Sequence, residues 1–195
     1  MLGSLFYFME VNMSDIKYYS EETISEINIA ALASSKGIKK IFFNPAKEAT
    51  ELSSATKLRS DDPYLFGIFN QLKEYFEGTR KVFDVPLDIE GTDFQKKVWN
   101  ELQKIPYGKT VSYKSLSEKL GDVKAIRAVG KANGQNPIAI IIPCHRVIGA
   151  NGNLVGYSGG LAIKEKLLHL EGALNPELFD WKNQTKIYLI SVTLL

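Results

Sequence analysis

Ser112-Tyr-Lys-Ser-Leu-Ser-Glu-Lys-Leu-Gly-Asp-Val-Lys-Ala-Ile-Arg-Ala-Val-Gly-Lys-Ala-Asn133 holds two short helical patterns separated by Gly121. Ser112 has a side-chain oxygen suited to cap a first helix, Tyr113 to Leu120. Asp122 can do the same for a second, from Val123 to about Asn133. Two short helices joined by a glycine-containing turn are the layout of a helix-turn-helix. Lys124, Arg127 and Lys131 share one face of the second helix. Such a face is either solvated or set against a polyanion.

Reading outward from this pair, the local signals stay sharp. Upstream, Thr92-Asp-Phe-Gln95 has the form of a capping box. Phe94, Val98, Trp99, Leu102 and Ile105 follow as one apolar stripe, and Pro106-Tyr-Gly108 stops the helix. Downstream, Gly134-Gln-Asn-Pro137 breaks the second helix, with Asn136 pushed out of helical geometry by the proline after it. Ile138-Ala-Ile-Ile-Ile142 predicts a short buried strand. A glycine-rich loop, Gly149 to Gly160, has the wrong order for a phosphate-binding loop. Leu161 to about Leu170 predicts a last helix, with His169 exposed at its end.

Between the strand and the loop stands Pro143-Cys-His-Arg-Val147, which holds the single cysteine of the 195-residue chain. One thiol makes no internal disulfide and no multi-cysteine zinc site. Its neighbours are an imidazole and a guanidinium, and cationic or proton-accepting neighbours favour the reactive thiolate. Cys144 therefore reads as a reagent rather than as core filler.

The first 90 residues read as α+β. Ser25 to Leu32 and Gly37 to Phe43 are strand-like runs, with a hairpin turn at Ser34 to Gly37. Residues 45–60 show no clear period. Asp61-Asp62-Pro63 opens a helix with Leu65, Ile68, Phe69, Leu72 and Phe76 at helical spacing, and Gly78 closes it. Val82 to Leu87 predicts a short strand. The expected organisation is an α/β domain over 1–88, a helix-rich domain holding Cys144 over 89–174, and a tail over 175–195. Met13 offers a second start, which would make 1–12 an extension. The apolar end, 187–195, is too short to span a bilayer.

Hydrophobic residues make up 45% and charged residues 24%, an ordinary globular balance. The net charge of +2 hides an asymmetry. Residues 1–90 carry 10 Lys and Arg against 14 Asp and Glu, a net −4; residues 91–174 carry 12 against 6, a net +6. The basic half holds Cys144, which suits a polyanion partner. With no export signal and no disulfide framework, the expected compartment is the cytoplasm.

The segment Pro143 to Val147 resembles the active-site signature of the O6-alkylguanine-DNA alkyltransferases. So do Ile105 to Tyr113, Ala125 to Gly130, Asn136-Pro137, Tyr157 to Ala162 and Glu171-Gly172, in order and spacing, over about residues 91–173. The resemblance implies a ribonuclease H-like N-terminal domain with a small antiparallel sheet, and a helical C-terminal domain with a winged-helix look. It implies one-way transfer of an alkyl group from guanine O6 to Cys144, with no cofactor and no metal. The partner implied is double-stranded DNA carrying O6-alkylguanine, entered from the minor groove by a monomer.

Residue by residue, the same resemblance gives Cys144 as acceptor, His145 as its base through a water, and Glu171 as the group that orients His145. Tyr113 matches the proton donor to the leaving guanine and Asn136 the brace of the active-site turn. Arg127 matches the arginine that fills the gap left by a flipped base. Ala125, Ala128 and Gly130 allow close approach to DNA, and Lys131 adds a cation. Tyr157, Ser158 and the Val147 carbonyl line the guanine pocket, with Lys164 near its mouth. Arg146 is expected to serve structure or a phosphate rather than chemistry. Asn133-Gly134-Gln135 departs from a segment that is Met-Arg-Gly in many relatives, which removes a cation from the DNA face. Other classes fit less: a lesion-sensing relative lacks the acceptor cysteine, a Cys-His hydrolase lacks an oxyanion hole, and a transcription regulator leaves Cys144 without use.

Overall fold

The structure is a computed structural model that describes residues 17–174, 179–180 and 185–186. The expectations for residues 1–12 and for 187–195 lie outside the described residues. Three strands form the sheet of the first half: β1 (Lys17–Ile24), β2 (Ile27–Ser34) and β3 (Gly37–Phe43), antiparallel in sequence order. A two-residue strand β4 (Thr56–Lys57) adds a parallel edge to β1, so the sheet is mixed rather than purely antiparallel. Ser25 and Glu26, predicted to begin a strand, form the β1–β2 turn instead. Both have positive φ, 50° and 67°, the geometry that matches the twist of a tight hairpin. β2 is nearly all buried, from Ile27 to Ser34 apart from Asn28, because helices cover one face while Leu52 packs on Ala30, Leu32 and their cross-strand neighbour Phe42 on the other.

A one-turn helix α1 (Ala49–Leu52) precedes β4, and α2 (Pro63–Phe76) follows it. Leu65, Ile68, Phe69 and Leu72 are buried as predicted. Tyr75, one position before the expected Phe76, is also fully buried. Val82 to Leu87 forms no strand. It is an extended stretch that docks beside β3 through Ile38 N to Pro86 O and Asp88 N to Ile38 O, each 2.9 Å. Gly37 permits this approach. With φ at +146°, a β-carbon there would lie 2.4 Å from the Pro86 carbonyl oxygen.

The second half opens with α3 (Asp93–Gln103). Its capping box forms as predicted, with Gln95 N to Thr92 Oγ1 at 3.3 Å and Thr92 N to Gln95 Oε1 at 2.8 Å. Val98, Trp99, Leu102 and Ile105 are buried, but Phe94 at the head of the stripe is exposed. A two-residue strand β5 (Val111–Ser112) leads into α4 (Tyr113–Lys119), capped by Ser112 through Ser115 N at 3.0 Å. The second helix of the pair starts later than predicted. Val123–Ala125 is a 3-10 turn capped by Asp122, and α5 runs Ile126–Gly134. Trp99 Nε1 donates to Ala132 O at 2.8 Å and so ties α3 to α5. The chain continues through β6 (Val147–Ile148), parallel to β5, and α6 (Leu161–Leu170). A short pair, β7 (Phe179–Asp180) and β8 (Thr185–Lys186), closes the described chain.

One apolar core joins the halves: Leu72 and Phe69 of α2 belong to the same cluster as Val98 of α3, Ile142 and Cys144. Among the described residues no helix is long and apolar enough to cross a membrane. Gly37→Ala is expected to cost about 1–3 kcal/mol, from backbone strain and displacement of Pro86. The check is a lower urea midpoint with an unchanged slope.

Candidate active site

Asn136 leads the chain out of α5 into a segment predicted as a strand. It is not one. Ile138 and Ala139 make only single bridges, to Ile41 and Ile142, and Ile142 N returns to Ile138 O at 2.9 Å. Ile140, a β-branched residue, sits at φ +73° in the left-handed region, which costs on the order of 1–3 kcal/mol. The turn is held from inside. Asn136 Nδ2 donates to Ile142 O at 2.7 Å, and Asn136 Oδ1 accepts from Ile138 N at 3.0 Å. Cys144, His145 and Arg146 then form a single 3-10 turn rather than an extended stretch. All three are buried.

Cys144 is 3% exposed. Burial raises its thiol to about 11, against the opposing pull of the Asn136 side chain and the Lys164 charge. The resting thiol is therefore protonated, and ionising it needs a base. His145 is fully buried, and burial holds its pKa below the usual imidazole value despite the hydrogen bond to Glu171. His145 Nε2 lies 2.9 Å from Glu171 Oε1. Burial would raise the Glu171 carboxyl, but the hydrogen bonds and charges of His145 and Arg146 hold it down, at about 2. An ionised carboxylate only accepts. The hydrogen between these two groups thus belongs to His145 Nε2, and Nδ1 carries the free lone pair. Nδ1 is buried and has no hydrogen-bond partner.

Glu171 collects donors from across the fold. Arg146 Nη2 reaches Oε1 and Arg146 Nε reaches Oε2, both at 2.8 Å. Gly108 N donates to Oε2 at 3.3 Å, and Tyr75 Oη donates to Oε1 at 2.7 Å. Arg146 Nη1 also donates to Ile105 O at 2.6 Å. Its role is internal, and a phosphate contact is ruled out by its burial.

Lys164, expected near the pocket mouth, is fully buried. Its Nζ donates to Val147 O at 2.6 Å and Val155 O at 2.8 Å, clamping the glycine-rich loop to β6. Burial lowers its pKa to about 8, partly offset by Cys144. Tyr157 lies edge-on to His145, ring centroids 6.5 Å apart, and its hydroxyl is buried without a partner. Ser158 is exposed beside it. The loop rests on the sheet: Phe43 is 5.6 Å from Tyr157, ring to ring, and a β-carbon on Gly159 would come within 2.7 Å of the Phe43 ring. Tyr113, half-buried at the start of α4, accepts from Asn133 Nδ2 at 3.3 Å. Burial raises its pKa, with a further rise from the nearby Cys144.

Arg127, Ala128 and Lys131 are exposed on α5, with Lys124 exposed on the turn before it. Ala125 lies in that 3-10 turn rather than on the helix. Gly130 is half-buried against Tyr113, where a β-carbon would sit at 3.8 Å. His169, expected to be exposed, is half-buried. Among the described residues no group of three or more His, Cys, Asp or Glu side chains is placed to hold a metal ion.

Sequence reasoning missed Tyr75, Phe43, the Asn133–Tyr113 contact and the Arg146–Glu171 pair. Tyr75 alone left a signal: it falls three positions after Leu72 on the buried stripe of α2, and most buried phenols find a partner for the hydroxyl.

A lone buried thiol, a tautomer-fixed imidazole and an ionised carboxylate, set beside a basic helix-turn-helix, define a DNA-directed thiol acceptor. Two family descriptions match the chain: "6-O-methylguanine DNA methyltransferase, ribonuclease-like domain" over residues 27–89 and "6-O-methylguanine DNA methyltransferase, DNA binding domain" over 93–173. The methylated-DNA–protein-cysteine methyltransferase of Methanosarcina acetivorans is 48% identical over 158 residues, 80% of this chain and 99% of that protein. The crystal structure of Mycobacterium tuberculosis O6-methylguanine methyltransferase superposes with a TM-score of 0.75 at 39% identity, covering 83% of this chain and 96% of the other. Mycobacterium tuberculosis OGT in complex with DNA superposes at 0.72, with 42% identity over 80% and 93% of the two chains. The chain belongs to the methylated-DNA–protein-cysteine methyltransferase family.

Glu171→Gln removes one partner of a buried ion pair and is expected to cost about 3–5 kcal/mol near neutral pH. The folded carboxyl is depressed from 4.5 to about 2, so its contribution is complete above the unfolded value and fades as pH falls towards 2. The stability gap between the wild type and Glu171→Gln should therefore narrow as denaturant titrations are moved from pH 6 towards pH 3.

Proposed function

We propose that this protein repairs DNA by moving the alkyl group of O6-alkylguanine irreversibly onto Cys144. The observation that carries this is one buried thiol on the same 3-10 turn as an imidazole whose free lone pair is fixed by Glu171. The S–C bond forms as the C–O6 bond breaks. The thiol proton passes to His145 Nδ1 through a bridging water, and the leaving guanine takes a proton from Tyr113. A soft thiolate suits in-line attack at an alkyl carbon, and ionising it at the moment of reaction supplies the nucleophile. Asn136 holds the turn that aims Cys144. The Val147 carbonyl, which keeps a lone pair beyond its bond to Lys164, accepts from the guanine amino group. Tyr157 and Ser158 line the same pocket, and O4-alkylthymine is a second candidate substrate.

The target base lies in a stack and must be turned out. Arg127, exposed on α5, fills the gap, and the small residues Ala125, Ala128 and Gly130 let this helix approach the minor groove. Lys131 and Lys124 contact phosphate. We assign residues 89–174 to DNA binding and acceptance, residues 1–88 to a supporting domain and 175–195 to a tail. The two family matches, which meet between residues 89 and 93, support that division. A lone thiol that must stay reduced favours the cytoplasm.

Incubation with a duplex containing O6-methylguanine should add the mass of one methylene to Cys144, in proportion to protein and without turnover. An unmodified protein, or product released with the thiol regenerated, would contradict the proposal. Arg127→Ala should slow repair in duplex DNA at least tenfold more than reaction with free O6-benzylguanine, and binding should weaken steeply with salt. Equal losses on the two substrates would remove Arg127 from the base-flipping role.

A further inference from the structure

The chemistry above leaves one group of the carboxylate cluster without a task. Tyr75 belongs to α2, in the half of the chain that carries none of the reacting groups. It is fully buried, and its ring is wedged against Phe83 at 5.5 Å and edge-on to Tyr107 at 6.2 Å. Its hydroxyl donates to Glu171 Oε1 at 2.7 Å. Packing alone does not account for it. Phenylalanine fills nearly the same volume, and a buried phenol costs desolvation that phenylalanine avoids. What the hydroxyl adds is a hydrogen bond to the oxygen that also receives His145.

We propose that Tyr75 is a positioning residue for alkyl transfer: by donating to the carboxylate oxygen shared with His145, it sets how tightly His145 holds a proton. Oε1 takes three donors, from Tyr75, His145 Nε2 and Arg146 Nη2. Each draws on the same negative charge. A carboxylate with fewer competing donors binds the His145 N–H more strongly and favours the imidazolium. An imidazolium has no lone pair for the Cys144 proton. Tyr75 therefore adds to burial in keeping His145 neutral and ready to accept, and it carries the influence of the N-terminal half into the site.

The other groups facing this pair are fixed. Cys144 and Arg146 flank His145 on its own turn, Lys164 approaches from α6, and Tyr157 comes from the glycine-rich loop. Tyr107 and Gly108 N face Glu171 from the turn after α3. None of them loses a contact when the Tyr75 hydroxyl alone is removed.

The inference rests on His145 being the base for Cys144. Its test is the single-turnover rate with free O6-benzylguanine as a function of pH, measured on the full chain. The rate should fall on the acid side as His145 protonates. In Tyr75→Phe this acid limb should move up by about half to one pH unit, with the rate above the limb retained. Site-specific 3-fluorotyrosine at position 75, a stronger donor of nearly the same shape, should move the limb down, and it covers the case in which the phenylalanine variant fails to fold. NMR titration of the two histidines should show His145 moving with the limb. A wild-type limb that does not follow His145 would overturn the base assignment and this inference with it. A limb that follows His145 but stays in place in both Tyr75 variants would overturn the role of Tyr75 alone, whatever the change in melting temperature.

Discussion

A carboxylate sealed from water must be met by donors on every side, and Glu171 is the group in this fold that imposes that requirement. Its side chain is wholly buried. Leaving it unpaired would cost several kcal/mol, so the elements around it have little freedom. α6 ends where Glu171 can project inward. The 3-10 turn of Cys144–Arg146 presents an imidazole and a guanidinium to the same two oxygens. The turn after α3 brings Gly108 so close that its missing β-carbon would lie 2.7 Å from the Glu171 carbonyl. α2 adds a phenol. Fixing this charge fixes the imidazole, and fixing the imidazole decides which nitrogen faces away from the carboxylate.

The nucleophile obeys a different constraint. Burial keeps Cys144 protonated at rest, and a protonated, inaccessible thiol is a poor target for oxidants. That matters for a group used only once. The reactive form exists only while a proton acceptor is engaged. Lys164 contributes a charge nearby, but its main contacts are to backbone carbonyls. Its work is to hold the loop and β6 together.

The parts of the fold written in local chemistry were legible in the sequence. The capping box at Thr92, the cap at Ser112, the Asp122 cap and the apolar stripe of α2 depend on residues within one or two turns, and each is found where the pattern places it. The Cys-His-Arg segment and its companions were legible as a resemblance. What escaped depends on distance or on tertiary override. The Tyr75–Glu171 contact joins residues 96 positions apart. β1 alternates poorly between buried and exposed positions, so its period carried no signal. Ile138 to Ile142 is all aliphatic and reads as a strand, yet the Asn136 amide bends it and tolerates a strained Ile140. Phe94 belongs to a helical stripe by spacing but to the surface by position.

The contact between Phe43 and Gly159 has an evolutionary corollary. The glycine-rich loop that sets Tyr157 against His145 does not carry its own backing; an aromatic ring on a sheet strand serves as the surface it rests on. The placement of Tyr157 therefore has two genetic addresses, one in the loop and one in β3. A change in ring size at position 43 would shift Tyr157 and Gly159 without altering a single residue of the Cys-His-Arg segment. The two halves of this chain are therefore parts of one instrument, and neither is free to drift on its own.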